Sequence, residues 1–169
     1  VFKVSFSVFF FVIISSNVLA HEKKALNVET STIKWNGKKV TGEHSGIVKL
    51  HSGFMLIHAG NWIGGEIEIN MESIESTDMS GEWKDKLDSH LQDEDFFYVD
   101  KFPTAKLVIT DVKSLSESKY TVTADLSMKG KTHSHTFEAA ISKKDGMHVM
   151  GKLTIDRTKY EITYKSGSF

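Results

Sequence analysis

Residues 84–105, KDKLDSHLQDEDFFYVDKFPTA, bring one histidine, several carboxylates and four aromatic rings into a short stretch of the chain. Carboxylates beside an imidazole can perform general acid/base chemistry, or they can bind a metal ion. Acid/base catalysis needs a nucleophile or a substrate proton within reach, and the sequence around His90 is not a known Ser or Cys nucleophile motif. A metal site needs three or four converging ligands. The stretch is therefore compatible with an acid/base site, a metal site or a purely structural element.

A second group of histidines could also carry chemistry. His133 and His135 lie two residues apart in THSHT, so on a strand both imidazoles would point to the same face. His44, His51 and His58 are possible third ligands. This set would suit a histidine-dependent metal-binding or hydrolytic protein, which is the alternative hypothesis, but it fits solvent-facing histidines on the outside of a barrel better.

We expect structural roles for these histidines. For His90 the expected role is a hydrogen bond that locks a helix to the rest of the fold. For the histidine pair we expect exposure to solvent. The sequence accordingly predicts no catalytic residue, no metal site and no cofactor.

The composition limits the classes of function. The chain has 169 residues, of which 40% are hydrophobic and 25% charged, so it can bury one core. Its formal net charge is −1 and its lysines are scattered among acids, which argues against a nucleic-acid partner. Because it has no cysteine, it can form no disulfide and has no thiol nucleophile.

The first twenty residues have the pattern of an export signal. Lys3 precedes an apolar run over residues 4–14, and Val-Leu-Ala at 18–20 provides the small residues that a signal peptidase recognises. The run is too short to anchor the protein in a bilayer, and no other segment approaches membrane length. We therefore predict a signal peptide over residues 1–20, a single domain over 21–169 and a periplasmic or secreted protein.

The elements that would position these side chains are mostly strands. Alternation of apolar and polar residues is clearest in GEIEINM (65–71), where Ile67 and Ile69 face one way and the intervening acids the other. About eight short strands joined by turns predict an antiparallel sandwich or an up-and-down barrel. The other predicted strands contain residues 33–35, 48–50, 107–109, 120–128, 137–141, 153–155 and 160–164.

One segment has helical spacing instead. The residues that share its apolar face, at i, i+4, i+7 and i+8, are Trp83, Leu87, His90 and Leu91. The residues predicted to face water are Lys84, Asp85, Lys86 and Asp88. Pro103 favours a return to extended structure after the helix. We expect this short helix to dock over one end of a barrel.

Four stretches of the sequence carry a family resemblance. SIESTD (73–78), LDSHLQDEDFFYVDKFPTAKLVIT (87–110), YTVTADLSMKGKTHSHTF (120–137) and LTIDRTKYEITYKSGSF (153–169) resemble the YceI-like polyisoprenoid-binding proteins. The resemblance implies an all-β, lipocalin-like antiparallel β-barrel of about eight strands with one short helical insertion. It also implies an apolar tunnel that binds a long-chain isoprenoid or similar lipid without chemistry.

The chain departs from the family pattern at Asp93 and Tyr98, which replace a small residue and an aspartate. Members of this family continue into a further closing β segment. The domain over residues 21–169 is therefore expected to lack its last C-terminal strand.

The apolar positions could line such a tunnel, or they could fill an ordinary core in a structural module without a ligand. Barrels of about eight strands are either just filled by side chains or just wide enough for one small ligand. The predicted ligand-binding residues are Trp35, Phe54, Trp62, Ile67, Ile69, Met71, Leu87, His90, Leu91, Phe96, Phe97, Leu107, Ile109, Val122, Leu126, Phe137, Leu153 and Ile155.

Overall fold

A computed structural model of the protein describes residues 21–39, 42–144 and 146–164. The predicted signal peptide, residues 1–20, lies outside the described residues, and so do residues 165–169. In the part of the chain that is described, no helix has the length and apolar character needed to cross a membrane.

Eight strands form one antiparallel sheet. The strands are β1 (Glu22–Ala25), β2 (Ile33–Lys39), β3 (Gly42–His58), β4 (Asn61–Ser76), β5 (Thr104–Ser114), β6 (Lys119–Met128), β7 (Lys131–Ser142) and β8 (His148–Gly151). The strand order is β1-β3-β4-β5-β6-β7-β8, and β2 pairs with the other end of β3. The α-helix α1 (Glu82–Gln92) is inserted between β4 and β5. The predicted all-β fold with one helical insertion is confirmed.

The sheet is curled into a half-barrel. β3 and β4 are 17 and 16 residues long, and their pairing is interrupted by three shifts of register. Such bulges bend a strand and increase its twist, which curls a long hairpin. Between the described strands at the two edges, β8 on one side and β1 with β2 on the other, no pairing occurs. The sheet therefore has a concave face that other parts of the chain must cover.

The concave face carries two groups of buried side chains, one at each end of the strands. The helix-end cluster lies beneath α1 and consists of Val48, Met71, Ile74, Leu91, Val99, Ala105, Leu126, Met128, Tyr160 and Ile162. The far-end cluster consists of Met55, Ile57, Trp62, Ile109, Val122, Ala124, Ala139 and Ile141. Period-two alternation places both groups on the same face of the sheet.

Helix α1 docks on the helix-end cluster through its C-terminal half. Leu91 is only 5% exposed, and Leu87 packs against the same cluster. The prediction that Trp83 shares this buried face is wrong, because Trp83 is 69% exposed, with the ammonium of Lys86 5.0 Å from its ring. The apolar contact between the helix and the sheet is therefore made by its second and third turns.

Two charged residues of α1 face the sheet instead of water, contrary to the sequence prediction. A carboxylate oxygen of Asp88 accepts a hydrogen bond from the backbone N–H of Ser76 at 2.6 Å. Lys84 pairs with Asp88 and, at 3.1 Å, with Glu75. The last backbone groups of β4 need partners, and Asp88 supplies one of them. Because of these contacts, the side of α1 that carries Lys84 and Asp88 faces the end of β4.

The predicted strands at residues 153–155 and 160–164 are wrong. This part of the chain is irregular except for a 3-10 helix at Arg157–Tyr160. An oxygen of Asp156 accepts hydrogen bonds from the backbone N–H and the hydroxyl of Thr158, at 3.0 and 2.7 Å. Side-chain bonds of this kind compete with strand pairing and begin a helical turn. The turn places Tyr160 and Ile162, both fully buried, on the concave face.

We predict that Leu91→Ala lowers the free energy of unfolding by about 2–5 kcal/mol, the usual cost of truncating a buried leucine. Trp83→Ala is the matched control in the same helix and should change it by less than about 0.5 kcal/mol, because the ring is exposed. Urea unfolding of both variants measures this difference. Equal destabilisation by the two substitutions would contradict the docking face described here.

Candidate ligand-binding site

A row of apolar side chains crosses the middle of the concave face. Strand pairing places Ile67 opposite Leu107, and Leu107 opposite Leu126. On the other side of Ile67 stands Gly53, which adds no bulk. Leu107 packs against both buried clusters, yet it and Ile67 are only half-buried. The row Gly53, Ile67, Leu107 and Leu126, called the middle row below, therefore joins the two clusters.

Most of the predicted ligand-binding residues lie in this row or beside it. Met71, Leu91 and Leu126 are buried members of the helix-end cluster. Partly buried against that cluster are Trp35, Ile69, Leu87, Phe96, Phe97, Leu107, Leu153 and Ile155. In the far-end cluster, Trp62, Ile109 and Val122 are buried and Phe137 is partly buried. The structure thus brings these predicted positions to one side of the sheet.

Phe54 does not join them. It pairs with Glu66 on the opposite side of the sheet from Met55, and the ammonium of Lys23 lies 3.7 Å from the centre of its ring. The predicted lining role of Phe54 therefore does not fit its position. The bulges within β3 shift the alternation of this strand, so a pattern read along the sequence misplaces the residue.

Trp35 is held at the edge of the helix-end cluster by backbone contacts. Its indole N–H donates to the carbonyl oxygen of Glu75 at 3.2 Å. The indole lies directly over Gly46, where an added Cβ would be 2.7 Å from the ring and would collide with the carbonyl oxygen of Glu75. Only glycine allows the two strands and the indole to approach so closely.

Two surface depressions of about 400 and 370 Å³ lie away from the middle row. One is formed by β7 and β8 and the other by the segment before β2 together with β3. The predicted tunnel residues of the helix-end cluster pack against one another, against α1 and against the segment 153–162. This segment, called the C-terminal cover below, occupies part of the concave face.

His133 and His135 face the concave side, contrary to the prediction of solvent-facing histidines. Strand pairing places them opposite Leu126 and Ala124, which are buried. His133 contacts the carbonyl oxygen of Lys159 through Nε2 at 2.9 Å, and His135 contacts the hydroxyl of Tyr160 at 2.7 Å. Both histidines therefore hold the C-terminal cover against β7.

The protonation of this pair is constrained by its surroundings. Burial, followed by the positive charges of His133 and Lys159, lowers the pKa of His135. Burial also raises the pKa of the Tyr160 hydroxyl, so that side chain stays neutral. Lys131 and Glu161 form an ion pair of 2.8 Å at the same place and compensate each other. The neutral form of His135 is thus the one that suits the docked cover.

The other histidines do not converge on the pair at 133 and 135. His44 forms a 3.0 Å contact with Asp78, and this hydrogen bond lowers the pKa of that carboxyl. Among the described residues, three potential metal ligands come within 4.8 Å of one another only at His90, Asp93 and Asp95. Both aspartates are exposed, so water can satisfy them without an ion.

His90 is packed among aromatic rings at the helix end. Its ring lies 5.6 Å from that of Phe96 and 4.2 Å from that of Tyr164, in edge-on arrangements. Nδ1 is 3.6 Å from a carboxylate oxygen of Asp95, whereas Nε2 is buried and has no hydrogen-bond partner. The predicted hydrogen bond from His90 that locks the helix is therefore not made through Nε2.

Arg157 is a residue of this site that sequence reasoning did not select. One guanidinium nitrogen donates to the carbonyl of Tyr164 at 2.7 Å, and the group lies 5.3 Å from the centre of the Phe96 ring. The other terminal nitrogen, Nη1, is buried without a partner. The available signal was the Asp-Arg pair at 156–157, which is part of the family resemblance.

Comparison with known sequences gives one family. A family model described as YceI-like domain matches residues 23–169. A UPF0312 protein of Staphylococcus aureus (strain USA300) is 41% identical over 85 residues, or 46% of this chain and 47% of that protein. A UPF0312 protein of Pseudomonas putida (strain GB-1) is 35% identical over 102 residues, or 54% and 53%. The matches thus span about half the length of these curated relatives.

Two solved structures share the fold. The crystal structure of Burkholderia cenocepacia BcnA superposes with a TM-score of 0.68 at 18% identity and covers 80% of this chain and 83% of that one. The Campylobacter jejuni YCEI protein gives a TM-score of 0.54 at 17% identity and covers 98% and 82%. At these identities the likeness concerns the fold alone.

We predict that acidification weakens docking of the C-terminal cover. Because the pKa of His135 is lowered in the folded protein, its contribution to stability is complete above the ordinary histidine value of about 6.5 and is lost as the pH falls below it. Thermal unfolding at about pH 7.5 and about pH 5.5 measures the effect. The loss should be smaller for His135→Gln, while His51→Gln, an exposed control, should behave like the unmodified protein. An identical loss in all three proteins would exclude this role.

Proposed function

Because this chain belongs to the YceI-like family, we propose that it is a binding protein that holds a long-chain isoprenoid or a similar lipid against the concave face of its sheet, without chemistry. The observation that carries the proposal is the half-buried state of the middle row. Ile67 and Leu107 point inward from the centre of the sheet and still keep contact with solvent.

A hydrocarbon chain suits this surface. Each methylene group that such a chain removes from water contributes about 0.8 kcal/mol, before the cost of ordering the chain. The row leads from the helix-end cluster to the far-end cluster, and both are apolar. The lipid would lie along this path, between the sheet and the residues that cover it.

The cover has to move, or to share the concave face, when a long ligand binds. It is held by Tyr160 and Ile162 and by the bonds from His133 and His135. It contains no strand that pairs with the sheet, so its displacement breaks few backbone hydrogen bonds. We therefore place the entry of the lipid between the cover and α1.

The histidines support binding rather than catalysis. His133 contacts a backbone carbonyl, His135 a tyrosine hydroxyl and His44 a carboxylate. None of these contacts joins a histidine to a serine or threonine hydroxyl that it could activate as a nucleophile. Each of these three contacts instead connects two segments that are distant in the sequence.

We predict that Leu107→Lys removes bound lipid from the protein. The substitution places an unpaired charge on the concave face, where contact with hydrocarbon costs several kcal/mol. Val108→Lys is the matched control, since its side chain lies on the opposite face, beside Glu66. Native mass spectrometry of protein purified from its own host measures the lipid mass, and circular dichroism confirms folding.

Lipid retained by a folded Leu107→Lys protein would rule out the concave face as the binding site. If native mass spectrometry finds a bound metal ion and no lipid in the unmodified protein, the alternative, a histidine-dependent metal-binding protein, would be favoured. If the unmodified protein carries neither lipid nor metal, a structural module with a filled core would be favoured.

The export of the protein is a separate proposal, supported by the apolar run and the small residues at its end. We expect cleavage after Ala20, which gives a mature protein that begins at His21. Amino-terminal sequencing of the exported protein tests this. An exported chain that still carries residues 1–20 would contradict it.

A further inference from the structure

Two histidines face each other across the pairing of β1 with β3, at the end of the sheet away from α1. Glu22 pairs with Ile57 in antiparallel register, so the preceding residue, His21, stands opposite the following residue, His58. Their rings lie edge to face, with the ring centres 4.9 Å apart. Ile57 is buried in the far-end cluster, so alternation places the two imidazoles on the convex side of the sheet, away from the middle row.

His58 has a ring nitrogen without a partner at this place. Its Nδ1 is buried and, among the described residues, makes no hydrogen bond. A buried polar atom of this kind has lost its bond to water and has gained nothing in return. The residues that follow, Ala59 and Gly60, both have positive φ and form the tight turn that leads to Asn61, the residue paired with His58. A hairpin therefore fixes the backbone of His58, and one nitrogen is available to an ion that enters between the two rings.

His21 would contribute two further nitrogen atoms once the predicted signal peptide is removed. Cleavage after Ala20 makes His21 the first residue, so that its backbone nitrogen becomes a free amino group. The ordinary pKa of an α-amino group is about 7.7–8.0, well below that of a lysine, so a fraction is unprotonated at neutral pH. Its nitrogen and Nδ1 of the same residue can close a chelate ring around one ion. Before cleavage this nitrogen belongs to a peptide bond, where its lone pair is delocalised.

We propose that the processed protein binds one Cu²⁺ ion through the amino nitrogen and an imidazole nitrogen of His21 together with an imidazole nitrogen of His58. This inference rests on the proposed removal of residues 1–20. It goes beyond the proposed lipid binding, which uses the other face of the sheet. Nitrogen donors suit Cu²⁺, which also has the highest affinity of the divalent first-row metals for such ligands. Water can take the remaining positions around the ion.

The separation of the two rings fits a shared ion. Two imidazoles that bind one metal with bonds of about 2.0 Å have their ring centres about 4.5–6.3 Å apart, depending on the angle at the metal. The observed 4.9 Å lies in this range, so rotation of the rings brings two nitrogens toward one point without separating the strands. The neighbouring cation on this face is Lys23, whose ammonium lies 3.7 Å from the centre of the Phe54 ring, further along β3. This charge is therefore directed away from the histidine pair.

The test uses the exported protein, with its amino terminus established from the intact mass. Cu²⁺ is added, unbound ion is removed by gel filtration, and the retained metal is measured by elemental analysis. We expect one Cu²⁺ per chain and an electron paramagnetic resonance spectrum that shows splitting by nitrogen ligands. Zn²⁺ loaded in the same way should be displaced by Cu²⁺.

His21→Gln and His58→Gln should each lower the affinity for Cu²⁺ by at least about tenfold, because loss of a partner outside the ligand sphere already costs about 10–100-fold. His51→Gln is the matched control, since it removes an exposed histidine from the same strand as His58 and should keep the affinity. Circular dichroism confirms folding. His21→Gln covers the case in which the variant at His58 does not fold, because His21 is exposed.

A second comparison isolates the amino group. A form that retains residues 15–20 in front of His21 keeps both imidazoles but has no free amino group at His21. We expect it to bind Cu²⁺ as weakly as His21→Gln does. Simple contact between the rings, without a metal site, would leave these forms no different from one another.

Undiminished binding of Cu²⁺ by folded His58→Gln, or by the form that retains residues 15–20, would overturn this site and place the copper elsewhere, for example at His133 and His135. Processed protein that begins at His21 and retains no copper would also overturn it and would leave the export proposal intact. An exported chain that begins at another residue would overturn both. Lipid content is measured on the same samples and should not change with Cu²⁺, so the lipid-binding function is tested separately.

Discussion

The concave face of the half-barrel has to be shielded from water, and the described strands do not shield it by pairing edge to edge. Alternation along eight strands places apolar side chains on that face. Two parts of the chain outside the sheet supply the shield, α1 at one end and the C-terminal cover beside β7. Tyr160 and Ile162, which are among the most deeply buried side chains, belong to the cover and not to a strand. The organisation of the whole structure follows from how these two parts contact the sheet.

Polar contacts determine where the two covering parts sit. Asp88 fixes α1 to the end of β4, and His133 and His135 fix the cover to β7. Such bonds add specificity more than strength, since each replaces a bond to water. Hydrocarbon packing, in contrast, has no preferred direction. A surface built in this way keeps its two covering segments in defined positions on the sheet.

Sequence reasoning predicted the strands well where alternation is long, as in β4, β6 and β7, because one polar and one apolar face leave a clear period of two. It failed at residues 153–164, where the same alternation occurs but Asp156 binds Thr158 and begins a helical turn. It also misplaced Trp83, because a helix that docks at one end has an exposed first turn whatever its spacing. The inward orientation of His133 and His135 depends on pairing with Leu126 and Ala124, which a single strand does not reveal. Arg157 was missed because its burial arises only when the cover folds onto the sheet.

The order of the strands has a consequence for the folding kinetics. From β3 to β8, each strand pairs with the strand that follows it in the chain. The end of one strand and the start of the next are therefore close in sequence, except between β4 and β5, where α1 is inserted. Closing these short loops costs little entropy. Residues paired far from the turn of a long hairpin such as β3–β4 are still distant in sequence, so we expect folding to be slower than that of a helical bundle of the same size. A nascent chain can add these strands one hairpin at a time, and the cover, which follows β8, is available only after the surface on which it docks has formed.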